Sequence, residues 1–177
     1  MKKYFRISFP QDSKYGVVIP ECKESEDLKI PNQGKVLNWK PITLSLKEGP
    51  PSDYQGSNPI YRLCSKKLKS IIDQYKSSVD AIQWLPMIIK EKNGTEYEYF
   101  ILHFPECSDV IDKGKSIIYG EEQIVKPVFS LTKINGHEVF NYDPFNFLGL
   151  VISERIKNEV EKAGCTNLSI SKVPLVA

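Results

Sequence analysis

One short pattern occurs twice in this chain, 88 residues apart. Leu63-Cys64-Ser65-Lys66-Lys67-Leu68-Lys69 is echoed by Val151-Ile152-Ser153-Glu154-Arg155-Ile156-Lys157. In each copy an apolar pair runs through a Ser into residues spaced for an amphipathic helix. The first helix would bury Leu68, Ile71, Ile72 and Tyr75, the second Ile156, Val160 and Ala163. Ser65 and Ser153 stand where a hydroxyl can accept a free N–H of the first turn. Neither copy completes a capping box, because the residue three places on is Leu68 or Ile156 rather than Glu or Gln. An extended apolar run follows each helix, Ile82 to Ile89 and Leu168 to Val176. Each run holds an apolar-Pro pair, Leu85-Pro86 and Val173-Pro174. The matched positions are caps and core residues, and the exposed ones differ, Lys66 against Glu154. The repeat is therefore a scaffold signature.

The other segments read mostly as strands. Tyr4–Phe9, Gly16–Ile19 and Val36–Leu46 are expected to be extended, with Pro41 at a bulge or edge. Glu48 to Pro59 holds three prolines and two glycines, so it is expected to be a loop. It divides an N-terminal strand-rich segment, 1–60, from a main body, 61–177, the two forming one continuous domain. Ile82–Lys90 and Thr95–Phe104 flank Asn93-Gly94, a strong hairpin signal because both residues tolerate positive φ. The second of these strands is apolar on both faces from Tyr99 to Phe104, as central strands are. A second pair, Ile124–Ile134 and His137–Tyr142, is expected around Asn135-Gly136. Gly164 suits the left-handed residue that ends a helix. The expected fold is α+β, a largely antiparallel sheet with two amphipathic helices packed on one side and the helix-strand unit occurring twice.

The 177 residues, 41% of them hydrophobic, are enough to hide roughly two thirds of the unfolded chain's surface. With 24 basic and 22 acidic residues the formal charge is +2, which argues against a nucleic-acid or membrane-surface partner. Arg6 interrupts the apolar residues after Met1-Lys2-Lys3, so the start reads as a strand and not as a secretory leader. A cytoplasmic location is expected. Cys22, Cys64, Cys107 and Cys165 form no C-x-x-C pair and are expected to be reduced thiols.

Catalytic chemistry is scarce. Of the two histidines, His103 lies on the two-sided apolar strand and His137 follows a turn. Cys107 is the only thiol near a histidine in sequence, four residues from His103, and Pro105 stands between them. No short-range zinc spacing, phosphate-binding glycine loop or nucleophile elbow occurs, so no metal or cofactor is expected. The rival enzymatic reading rests on carboxylates of the 107–122 segment, Asp109, Asp112, Glu121 and Glu122. A non-catalytic adaptor domain is a further alternative. Two features suit protein contact. Lys66, Lys67 and Lys69 crowd the first turn of a helix, where cations oppose its dipole; they form either a solvated face or a contact for a partner that supplies negative charge. Tyr142, Phe145 and Phe147 fall in an aromatic loop that forms either a contact surface or a lid over the core.

Trp84-Leu85-Pro86, Tyr99-Phe100-Ile101-Leu102, Asp109-Val110-Ile111-Asp112, Ile152-Ser153-Glu154-Arg155-Ile156-Lys157 and Ala163-Gly164 together resemble the eleventh numbered family of polymorphic-toxin immunity proteins, long described as a bacterial domain of unknown function. The resemblance runs from about Val36 to Val173. It implies a non-enzymatic protector that binds a cognate secreted toxin, with no catalytic residues. The first copy departs from the Ser-Glu-Arg form, reading Ser65-Lys66-Lys67. Tyr142, Phe145, Phe147, Lys66 and Lys67 are the expected partner contacts. Nothing in the sequence specifies a homo-oligomer.

Overall fold

A computed structural model describes residues 2–20, 30–58, 62–120, 123–143 and 149–177. The strands are β1 (Tyr4–Ser8), β2 (Val17–Pro20), β3 (Thr43–Lys47), β4 (Tyr54–Ser57), β5 (Leu63–Ser65), β6 (Gln83–Lys90) and β7 (Glu96–His103). After them come β8 (Ile117–Tyr119), β9 (Gln123–Lys126), β10 (Phe129–Ser130), β11 (Val139–Asn141), β12 (Leu150–Ser153), β13 (Ser169–Lys172) and β14 (Leu175–Val176). Helix α1 (Lys66–Tyr75) follows β5, and α2 (Glu154–Lys162) follows β12.

The strands close into a barrel, β2-β3-β6-β7-β5-β4, and a separate four-stranded sheet, β11-β12-β1-β13. β5 and β6 are each antiparallel to β7, so they run parallel to one another with β7 between them. β12 and β13 flank β1 in the same way. Each copy of the sequence repeat is thus a split strand-helix-strand unit with one antiparallel strand inserted. One copy is built into the barrel and the other into the sheet. The fold is α+β as expected, with its strands divided between the barrel, the four-stranded sheet and two two-stranded sheets, β8-β9 and β10-β14.

Period-two alternation sorts the side chains into three cores. Val18, Leu44, Leu63, Leu85, Met87, Ile89, Tyr99 and Ile101 fill the barrel. Cys64 and Leu102 face outward from the barrel, and Ile7, Val139 and Ile152 face them from the sheet. Leu68 and Ile72 of α1 and Ile156 and Val160 of α2 complete this central layer. The repeat is visible here as structure, since Cys64 and Ile152, Leu68 and Ile156, and Ile72 and Val160 are equivalent positions in one core. The opposite face of the sheet presents Tyr4, Phe140 and Val151, which Val110, Ile111, Phe129 and Ile134 cover.

Both caps form. Ser65 is extended and its hydroxyl oxygen accepts from Leu68 N at 3.2 Å; Ser153 does the same for Ile156 N at 3.4 Å. Gly164, at φ 61°, ends α2 with its N–H bonded to Glu161 O while Cys165 N reaches Val160 O, the paired bonds of a Schellman turn. The Asn93-Gly94 hairpin also forms, and β7 is central between β6 and β5.

Four local expectations are corrected. Residues 48–59 are not all loop, because β4 lies within them and bonds to both β2 and β5. Of Val36–Leu46 only the part from Thr43 is strand. Before it Asn38 has φ 58°, Gln83 brackets Val36 through its N–H and carbonyl, and the Trp39 indole donates to Pro86 O at 2.9 Å. Asn135-Gly136 turns the chain without joining a strand pair. Pro127 ends β9, and the turn carbonyls of Ile134 and His137 are taken by the Tyr4 hydroxyl. β9 pairs instead with β8, and β11 with β12. The final run breaks at Pro174, after which β14 leaves the sheet and runs parallel to β10.

Candidate partner-binding surface

Most of the described residues from which catalysis was considered are held in structural roles. His103 is buried with its Nε2 at 2.7 Å from Gly34 O, and burial holds its pKa below the ordinary histidine value. Burial, with help from Asp143 and Asp109, pushes the Cys107 thiol up to about 11, so at neutral pH it is protonated and a poor nucleophile. Burial likewise raises Cys64, and it lifts Cys165 to about 11. These three cysteines are unbridged; Cys22 lies outside the described residues.

A cleft of about 240 Å³ brings Cys107, Ser108 and Asp109 beside His137, whose Nδ1 is 2.9 Å from the Asp80 carboxylate. That carboxylate is no free orienting group. Its oxygens also accept the backbone N–H groups of Ser77, Glu138 and Val139, which ties the α1–β6 connection to β11.

Asp112 has a structural task as well. Its Oδ1 accepts from Gly114 N and Lys115 N in a tight turn. Asp109 is exposed and paired with Lys133. Glu121 and Glu122 lie outside the described residues. Among the described residues no group of three or more His, Cys, Asp or Glu is placed to hold a metal ion. No helix among them is long and apolar enough to cross a membrane.

Of the residues expected to meet a partner, Lys66, Lys67 and Tyr142 are among the described ones. Lys66 is exposed on the first turn of α1. Lys67 is an ion-pair partner of Asp53 at 2.8 Å and donates to Gly164 O, so its charge is matched within the chain. Lys69 bonds Asp73 and lies over the rings of Trp84 and Phe100. Tyr142 is 5% exposed, with its ring edge-on to Phe129 at 5.1 Å. Of the two readings of the aromatic loop, Tyr142 takes the one that packs on the core. Phe145 and Phe147 lie outside the described residues.

Asp53 is held by several partners beside the start of α1. It accepts from the Ser65 hydroxyl at 2.6 Å, from Thr166 N and Oγ1, and from Lys67. Burial alone would raise its pKa, but Lys67, Ser65 and Thr166 outweigh burial and hold it below the usual carboxylate range. Here the exit of α2 is fastened to the start of α1, and the carboxylate supplies the negative charge that Lys67 at this helix end requires.

The exposed apolar surface lies elsewhere. The β8–β9 hairpin carries Ile117 at 57% exposure, Tyr119 at 75% and Val125 at 60%. Sequence reasoning missed it. The signal available was Ile117-Ile118-Tyr119, a run of strong strand formers bounded by Ser116 and Gly120. A second concavity, of about 540 Å³, lies where the end of β1 meets the barrel, lined by Phe9, Tyr15, Val17, Tyr54 and Asn167.

In comparisons with known proteins, no curated protein matches the chain. The model of the immunity protein family Imm11 matches residues 30–174, which includes the barrel from β3 onward, both helices and both copies of the repeat. The chain belongs to the immunity protein family Imm11.

Proposed function

We infer that this protein neutralises a cognate secreted bacterial toxin by binding it in the cytoplasm of the cell it protects. The observation that carries the reading is membership of an immunity family across residues 30–174. Two features of the site support a binding role over a catalytic one. The described thiols are protonated at neutral pH, and Asp53, Asp80 and Asp112 are spent on backbone and cap hydrogen bonds. Protection then comes from covering the toxin's active surface or holding it inactive. A standard interface of about 800 Å² per partner fits a domain of this size. Lys66, exposed at the start of α1, is one contact in this reading.

The test is co-expression. Cells making the toxin encoded beside this gene should grow when this protein is present and stop when it is absent. Growth arrest in both cases would overturn the reading.

A further inference from the structure

We propose that Cys64 and Cys165 form a redox-sensitive latch. Oxidation joins them in a disulfide that ties the barrel half of the repeat to the sheet half, and reduction releases it. Cys64 stands on β5 in the barrel, directly before the Ser65 cap of α1. Cys165 follows Gly164 at the exit of α2, the helix that leaves the four-stranded sheet through β12. The latch is a property of the fold and stands or falls independently of the proposed immunity role.

Hydrogen bonds bring the neighbours of the two cysteines together. The Asp53 carboxylate accepts from Ser65 Oγ at 2.6 Å and from Thr166 N at 2.9 Å, residues one place from each cysteine. Tyr54 pairs with Cys64 across β4 and β5, and its N–H donates to Thr166 O at 3.2 Å. Lys67 Nζ reaches Gly164 O at 3.3 Å. The side chains then turn to the same place. Cys64 is a fully enclosed member of the central core, and Cys165 packs against that core, as the residue after a Schellman glycine does over the last helical turn. Burial raises the Cys64 thiol, and a charge on Cys165 raises it further, an effect that falls away with distance. Cys107 lies apart, in the cleft with His137.

Exposure sets the order of events. Cys165 is half-buried and is the thiol that a soluble oxidant reaches, while Cys64 is enclosed. With glutathione disulfide as the oxidant, the Cys165 thiolate attacks one of its sulfurs. A mixed disulfide forms, and one glutathione thiolate leaves and takes up the Cys165 proton. The Cys64 thiol then gives up its proton, and its sulfur attacks the Cys165 sulfur. The second glutathione thiolate is expelled and takes up that proton. Two protein thiols are oxidised, and one glutathione disulfide is reduced to two glutathiones. Burial lifts Cys165 to about 11, which keeps its thiolate scarce at neutral pH and makes closure slow. A reducing compartment therefore holds the pair open, and sustained oxidation closes it. A cross-link between positions far apart in sequence restricts the unfolded chain, so closure stabilises the fold.

The experiment incubates the whole protein with glutathione disulfide, keeps a reduced sample in dithiothreitol, and maps the cysteines by peptide mass spectrometry. The expected product has the Cys64 and Cys165 peptides joined, two fewer reactive thiols after denaturation, and a Tm raised by about 5 °C or more. Dithiothreitol should reverse all three changes. Cys165→Ala, at the half-buried position, should abolish the link and leave Cys64 a thiol, whereas Cys107→Ala should form the link as the wild type does. All thiols free after oxidation overturns the inference. So does a bond that uses Cys22 or Cys107 in place of either partner, and so does a Cys165 that stays joined to glutathione. A linked protein with a Tm no higher than that of the reduced protein also overturns the latch.

Discussion

Asp53 shows how one side chain does work that residue types in sequence do not announce. Its neighbours Pro51, Ser52 and Tyr54 read as ordinary loop, and its partners Ser65, Lys67 and Thr166 come from two other parts of the chain. Removing it leaves the Ser65 hydroxyl and Thr166 N without this acceptor and the Lys67 ammonium with Gly164 O but no counter-charge. Asp53→Ala should therefore cost about 2–3 kcal/mol in urea unfolding. The pH dependence has a definite sign. A carboxylate whose pKa is lower folded than unfolded contributes stability above its unfolded value of about 3.9, and that contribution fades as pH falls through the folded value. Asp53→Asn should accordingly lose less stability than wild type on acidification below about pH 4. An acid limb with the wild-type slope would contradict this. The cluster of lysines at Lys66–Lys69 was legible in sequence as a charge in want of a counter-charge. That the counter-charge lies within the chain was not, because it depends on a contact between residues 14 positions apart in sequence.

At the scale of elements, the two caps are equivalent in sequence but not in energy. Ser153 only closes a cap, through a long bond of 3.4 Å, whereas Ser65 also donates to a buried carboxylate. Ser153→Ala should cost about 0.5–1 kcal/mol and Ser65→Ala about 2 kcal/mol, compared by thermal or urea unfolding. Equal losses would mean that the Asp53 link adds nothing to the cap. Helices, caps and the Asn93-Gly94 hairpin were legible because each is fixed by residues close together in sequence. β4 was not, since Tyr54-Gln55-Gly56-Ser57 has no alternation and takes its place by closing the barrel between β2 and β5. The Asn135-Gly136 turn misleads for the same reason. Its chemistry is right for a hairpin, but Pro127 and the Tyr4 hydroxyl decide what the flanking backbone bonds to.

Across the whole molecule, the repeat proves to be two split strand-helix-strand units that share one core while anchoring different sheets. The α+β class follows from that scaffold and was legible from caps and core residues, and the resemblance carried by some of the same residues agrees with the family match over residues 30–174. Exposed positions such as Lys66 and Glu154 carry no such signal, because they are free to differ between the copies. That Leu37, Ile117, Tyr119 and Val125 are exposed is a property of the assembled fold alone. The most direct measurement is gel filtration of this protein mixed with the purified toxin encoded beside it. Co-elution as a stable complex of defined stoichiometry is the expected result. Separate elution of the two proteins, at concentrations where the toxin is nonetheless inhibited, would contradict neutralisation by binding.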